Sequence, residues 1–277
     1  MKKEYRIYGY FIGLIASIIL AYFRYISDYF SKSESLKEVM TNVLYLVLSA
    51  SIVGIYEYMC NEGWKFLKPS FFKKNEKVYV SLSYLIQIQL EGCQSYLLVK
   101  GSKVDQYQPV GGVYRLLGSK NIKDDWQAEL KEGKRDDAKD LRFFVKAKYL
   151  YGIYKWFISG KNREYGVWRE FQEELIETKI LCERTFRHID VEYLRMEEKF
   201  MEKERRFKDE KYHTILYDVF RLILTREQEQ ALMKLKEEAV YTDQYAFVTS
   251  EEIEKECFQE GFKRIGAHSV HILNYKR

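Results

Sequence analysis

"GVWREFQEELIE", residues 166–177, decides how the rest of the chain is read. Arg169-Glu170-Phe171-Gln172-Glu173-Glu174 sets one apolar residue among four charges in less than two helical turns. On a helix, Glu170, Glu173 and Glu174 stand at i, i+3 and i+4, so the three carboxylates share one face. Such a face can hold a hard divalent cation such as Mg²⁺ between protein oxygens and a substrate phosphate. It can equally be the solvated side of a surface helix, with Arg169 and Glu173 as an i, i+4 ion pair. The surroundings decide between the two.

The chain has 277 residues, room for one large domain and something smaller. With 31% charged and 16% aromatic residues and only 2 prolines, it is not a disordered chain. Cys60, Cys93, Cys182 and Cys257 lie far apart with no Cys-x-x-Cys pair, which predicts reduced thiols rather than a disulfide framework or a zinc site. Charge is uneven: residues 1–77 carry 11 Lys and Arg against 7 Asp and Glu, and residues 78–277 carry 35 against 34. A nearly neutral main part argues against a nucleic-acid polymer as partner, since that needs a basic surface to displace counterions.

The basic surplus lies beside two charge-free apolar runs, Ile7–Phe23 of 17 residues and Val39–Tyr56 of 18. At about 1.5 Å per residue each covers roughly 26 Å, close to the ~30 Å hydrocarbon thickness of a bilayer. Tyr8, Tyr10, Tyr22 and Tyr25 bracket the first run as an interfacial belt would. The pattern predicts a transmembrane hairpin over 1–60, spans at about 7–23 and 39–56, and a basic juxtamembrane linker over 61–77. Eight Lys and Arg flank the hairpin outside the spans, against three in the loop between them. The positive-inside rule then places both termini and the following domain in the cytoplasm, with the short loop outside the inner membrane. Gly9, Gly13, Ser17 and Ala21 line one helix face with small side chains, which pack either the two helices of one hairpin or helices of neighbouring copies.

From residue 78 the pattern changes to alternation and turns. Val78–Leu90 reads as a strand, turning at Glu91-Gly92 into Ser95–Lys100. Leu141–Val145 reads as a strand and Tyr149–Ile158 as a short amphipathic helix, followed by a helix over 167–176. Phe186–Leu194 and Tyr212–Leu224 read as strands around Arg195–Lys211, a mixed-charge stretch expected at a solvated hairpin end. Thr225-Arg226-Glu227-Gln228 and Thr249-Ser250-Glu251-Glu252 are capping boxes, each opening a helix; the second directly follows a strand over Tyr245–Val248. Residues 78–277 are therefore expected to form one α+β domain around a mixed sheet.

Arg-Glu-apolar-x-Glu-Glu resembles the core of the Nudix box, Gx5Ex7REUxEExGU. Pro109-Val110-Gly111-Gly112 resembles the motif that opens the box, and "AFVTSEEIEKECF" resembles the closing strand and helix of the Nudix fold. In Nudix hydrolases the helix carboxylates bind Mg²⁺ and a diphosphate linkage is hydrolysed, which would make Glu170, Glu173 and Glu174 metal ligands if a divalent ion is bound. The sequence departs from the pattern. Gly112 and Arg169 are 57 positions apart where the box expects 14, Gly118 stands where its first glutamate belongs, and Ile176 replaces its last glycine.

An interrupted Nudix domain behind two spans resembles the membrane effectors of CBASS anti-phage systems that carry a SMODS-associated Nudix domain. "REYGVWREFQEEL" and the ending "GFKRIGAHSVHIL" are similar to that group. The resemblance implies a sensor for a cyclic di- or oligonucleotide, made by a cognate cyclic-nucleotide synthase, whose binding assembles the spans into a homo-oligomer that breaches the membrane. No catalytic residue or cofactor is then required. Gly111 and Gly112 would approach the ligand, and Arg115, Arg264 and His268 are candidate phosphate contacts. Tyr107, Tyr114 and Trp126 are candidates for stacking on bases. The alternative that the motif implies is a membrane-tethered, Mg²⁺-dependent Nudix hydrolase of a nucleoside diphosphate derivative.

Overall fold

The computed structural model describes residues 13–19, 21–22, 34–58, 64–90, 92, 94–101, 104–117, 122–130, 140–164, 166–203, 212–258 and 263–273. They divide between two compact units, Met1–Lys74 and Asn75–Arg277. In the first, residues 13–19 are helical and α1 spans Glu34–Tyr58. Among the described residues, no helix is long and apolar enough to cross a membrane; residues 7–12, 20 and 23 of the first expected span lie outside them. A Cβ added at Gly13 would stand 2.6 Å from Ser51 Oγ and 3.7 Å from Val47, so this glycine lets the two helices close on each other. Ser17 and Ser51, both buried, donate back to Gly13 O at 2.8 Å and Val47 O at 2.7 Å, keeping their hydroxyls satisfied within their own helices. The small face therefore packs within the hairpin at Gly13; Gly9 is not among the described residues. The expected linker 61–77 is partly helical over Trp64–Leu67 and Lys68–Phe72, because Phe66 there is buried and anchors the turn.

The second unit contains strands β1 (Lys77–Gln87), β2 (Gln89–Leu90), β3 (Ser95–Lys100), β4 (Tyr107–Gln108), β5 (Val110–Val113), β6 (Glu129–Leu130), β7 (Arg142–Lys146), β8 (Asp190–Lys203), β9 (Tyr212–Ile223) and β10 (Tyr245–Thr249), with β11 (Cys257–Phe258) paired to β12 (Lys263–Arg264). One mixed sheet has the order β6-β7-β1-β9-β8, with β5 also on β1; an antiparallel sheet runs β10-β3-β2, with β4 on β3. β1 is buried almost throughout rather than alternately, as a central strand covered on both faces must be. It pairs in parallel with β9 and antiparallel with β5 and β7. The expected strand Val78–Leu90 is thus two strands in different sheets, separated at Ile88.

Two further readings need correction. Residues 186–189 are turns, and the strand expected at Phe186–Leu194 begins at Asp190 and continues to Lys203, through much of the charged stretch expected to be solvated. Ladder bonds to β9 outweigh the poor strand preference of its charges, which find partners on the sheet, as Arg195 does in Glu197 at 2.5 Å. Two bulges accommodate it, one placing Met201 at φ 50° with its amide donating to Thr214 Oγ1.

The helices of this unit include α2 (Leu150–Ile158), α3 (Trp168–Phe171, wound on as a π turn over Gln172–Ile176), α4 (Arg226–Glu238) and α5 (Ser250–Glu254). Both capping boxes form with reciprocal hydrogen bonds, Thr225 with Gln228 and Thr249 with Glu252. Leu85 and Ile215 of the mixed sheet share a core with Leu98, Ala246 and Val248 of the antiparallel one, closed by Ile272 of the 3₁₀ segment Ala267–Ile272. Each fully buried aliphatic side chain contributes roughly 1.5–3 kcal/mol. That segment is also tied by Gln87, which donates to Ile272 O at 2.6 Å, and by Arg195, which donates to the carbonyls of His271 and Leu273. These bonds hold the segment that carries His268.

Candidate functional site

The separation of 57 positions between Gly112 and Arg169 closes in space. β5 and β7 share one edge of β1 end to end, β7 along Lys77–Ser81 and β5 along Ser83–Ile86. At the junction Tyr114 N donates to Leu82 O, Leu82 N to Leu141 O, and Leu141 N to Tyr114 O, all at 2.9–3.0 Å. The chain leaves β1 after Tyr114 and rejoins it at Leu141, leaving the ladder on β1 almost unbroken. α3 then lies against β5. Gly111 N donates to Glu174 Oε2 at 3.1 Å, and Arg169 Nη2 donates to Val113 O at 3.0 Å.

Two glycines make these contacts possible, Gly111 that of β5 with β1 and Gly112 that of α3 with β5. Gly111 has φ +159°, and a Cβ there would collide with the Tyr84 carbonyl oxygen; a Cβ on Gly112 would collide with the Glu170 carboxylate. The π turn over Gln172–Ile176 closes with Glu177 N donating to Gln172 O at 2.9 Å, a winding that recurs at functional sites.

Arg169 has little donor capacity to spare. Its Nε and Nη2 donate to the two oxygens of Glu164 at 3.0 and 3.2 Å, and Nη1 donates to Glu170 Oε1 at 2.5 Å with Glu173 Oε2 at 3.5 Å. Burial works against its charge, yet Glu164 and Glu170 outweigh burial and its pKa rises. Burial also raises the Glu170 carboxyl, opposed by Arg169, and pushes Glu174 up to about 8, opposed by the Gly111 amide and reinforced by Glu170 and Glu173. Among the described residues, no three His, Cys, Asp or Glu side chains are arranged to hold a metal ion. With Arg169 on two carboxylates and a backbone amide on the third, the set as arranged does not fit a divalent cation. Gly118 lies outside the described residues.

Beside this network opens a cleft of about 620 Å³, within the ~300–1,000 Å³ of small-molecule sites. Its floor is one face of the mixed sheet. Tyr79, Ser81, Ser83 and Leu85 alternate along β1, Ile215 and Tyr217 along β9, and Arg142 enters from β7 opposite Ser81. Ser81 and Ser83 bring their hydroxyl oxygens to 3.1 Å. The Glu170, Glu173 and Glu174 carboxylates line one side, and Arg115, Asp140 and His268 also contribute. The His268 imidazole lies near-parallel to the Tyr217 ring, 12° between planes and 6.4 Å between centres.

The cleft thus gathers Gly111, Gly112, Arg115, His268 and the three glutamates. It does not gather the rest. Tyr107 is buried, its hydroxyl bonded to Thr242 O and its ring edge-on to Phe258. Tyr114 is buried too, donating to Asp218 Oδ2 at 2.7 Å beneath the Arg163 guanidinium, which itself donates to Asp218 at 2.9 Å. Trp126 packs between Phe143 and Trp156, and Arg264 is exposed on β12, outside the cleft lining. Sequence reasoning missed Arg142, Ser81, Ser83, Tyr217 and Glu164. The period-two row of small hydroxyls on β1 was a usable signal for the floor. Glu164 left none, since it reaches Arg169 from an irregular segment with no fixed spacing.

Residues 77–273, well over half the chain, match the family described as the SMODS-associated NUDIX domain. No curated protein matches the chain.

Proposed function

We propose that this chain, which belongs to the SMODS-associated NUDIX domain family over residues 77–273, is a receptor that binds a cyclic oligonucleotide in the cleft and leaves it intact. The SMODS association of the family points to a CBASS-type anti-phage effector. In this reading a cognate cyclic-nucleotide synthase supplies the ligand, and the amino-terminal unit anchors the chain in the inner membrane with both termini and the larger unit cytoplasmic. Ligand binding favours an assembled homo-oligomer by differential affinity, and assembly breaches the bilayer and aborts infection. A two-helix hairpin cannot enclose a water path alone, since each helix satisfies its own backbone and its outer surface meets lipid. No cofactor is needed and no nucleic-acid polymer is bound.

The observation that carries the reading is the Arg169 network beside an open, nucleotide-sized cleft. The carboxylates that a hydrolase would spend on metal are held by Arg169 and by the Gly111 amide, while the cleft keeps arginines, hydroxyls and a planar aromatic wall. A nucleotide can use these without chemistry. The return of the box helix to the Gly111-Gly112 strand across the insertion favours the second reading, a membrane-tethered Mg²⁺-dependent hydrolase of a nucleoside diphosphate derivative. Liposomes carrying the full chain and an entrapped dye test the effector reading. Leakage should follow addition of one cyclic di- or trinucleotide and not the corresponding linear nucleotide. Leakage that never depends on a cyclic nucleotide would remove it.

A further inference from the structure

We infer that Arg142 and Arg115, together with the Ser81 and Ser83 hydroxyls, form a subsite that takes a phosphate group without a divalent ion, on the sheet floor and apart from the box helix. The inference rests on the receptor reading for the identity of the whole ligand, but not for the anion.

Three arginines line the cleft, and they are not equivalent. Arg169 is spent on Glu164, Glu170, Glu173 and the Val113 carbonyl. Arg142 makes no ion pair among the described residues. Among the described residues the Arg115 side chain pairs only with Asp140, at 3.8 Å from its Nε, and that Nε is buried with no hydrogen-bond acceptor among them. A buried donor left unpaired is costly, and an anion in the cleft would relieve it.

The cleft lining brings the two together. Arg115 and Asp140 face each other across an antiparallel bridge, which sets their Cβ atoms about 4.5–5.5 Å apart. Leu141 bends the chain between Asp140 and Arg142, with Arg142 N donating to Asp140 O at 2.8 Å, and both arginines line the same cleft. Two long side chains that line one cleft can close on one phosphate. Asp140 offsets one of the two charges, so the pair keeps a net positive field without repelling itself. Arg142 stands opposite Ser81 in the ladder, and the Ser81–Ser83 hydroxyl pair beside it adds donors that a phosphodiester oxygen accepts from. The glutamates are on α3, so an anion is driven away from the box helix and towards β7.

The test uses the full chain in detergent micelles with EDTA, followed by thermal melting as inorganic pyrophosphate is added. Pyrophosphate should raise the melting temperature of the wild type. Arg142→Gln should need about tenfold more pyrophosphate or greater for half the effect, the usual scale for losing a charge-assisted bond. Arg142→Lys, which keeps the charge but loses the planar fork, should fall between. Arg226→Gln, exposed at the start of α4, should match the wild type. If Arg142→Gln does not fold, Arg142→Lys and Ser81→Ala carry the test. Equal half-saturation in these variants and the wild type, no response in the wild type, or a response that requires Mg²⁺ overturns the subsite.

A parallel titration of the wild type with 3′,3′-cyclic dinucleotides and cyclic trinucleotides separates the two claims. A response to pyrophosphate but to no cyclic nucleotide sinks the receptor reading and leaves the subsite standing. A cyclic-nucleotide response untouched by Arg142→Gln does the reverse.

Discussion

Arg169 is the residue on which the site's electrostatics turn. Its guanidinium, 17% exposed, satisfies Glu164, Glu170 and Glu173 together. Removing it strands partly buried carboxylates, and breaking such a network typically costs about 3–5 kcal/mol. Arg169→Met should therefore lower the thermal midpoint of the second unit sharply, measured by melting the full chain in detergent. A midpoint within a degree of wild type would mean that the network contributes nothing. Glu174 makes the complementary case. Its folded pKa, about 8, stands above the usual carboxyl value of 4.5, because burial disfavours its charge. Between those values the unfolded chain has lost the proton and the folded one keeps it, so stability falls as pH rises from about 4.5 to 8. Glu174→Gln, which can still accept from the Gly111 amide, should remove that fall. The variant should match wild type near pH 4.5 and exceed it at pH 8 by on the order of a few kcal/mol. Parallel pH–stability curves for the two proteins would contradict the assignment.

At the scale of elements, the glycine pair and the seam on β1 explain how an interrupted motif keeps its shape. At Gly111 an added Cβ meets the backbone carbonyl of Tyr84, which cannot move, whereas at Gly112 it meets the flexible end of Glu170. Gly111→Ala should thus destabilise by about 1–3 kcal/mol through strain and displacement of β5. Gly112→Ala should cost less and act mainly by dislodging Glu170 from Arg169; denaturation of both variants checks the order. Elements with local signatures were legible in the sequence. The two threonine capping boxes name their own partners three residues on, and the apolar run Tyr245–Val248 directly precedes the second. The break at Ile88 was not legible, because an apolar run buried on both faces looks the same whichever sheet it serves. Nor was β8, whose charges read as solvated until β9 is beside it. Within the site, the box residues were legible from spacing. Tyr107, Tyr114 and Trp126 showed by contrast that an aromatic side chain is as easily core as ligand wall, which only tertiary packing decides.

For the whole molecule, the family match and the cleft both belong to the second unit, and the account joins it to the amino-terminal helices through ligand-driven assembly. Gly13 packs against Ser51 and Val47 of its own hairpin. Gly13→Leu should force these helices apart, abolishing ligand-dependent dye release from liposomes while ligand affinity stays within about threefold of wild type. Undiminished release would show that this contact does not support the lethal assembly. The central claim is that the Nudix-like cleft receives its ligand and does not cleave it. The direct measurement incubates the purified full chain with its tightest-binding cyclic oligonucleotide and Mg²⁺, separates the bound fraction, and identifies the nucleotide by mass. The account predicts that the cyclic nucleotide is recovered intact from both the wild type and the Glu173→Gln, Glu174→Gln double variant, with similar occupancy. Mg²⁺-dependent conversion by the wild type that disappears in the double variant would contradict it and establish the hydrolase.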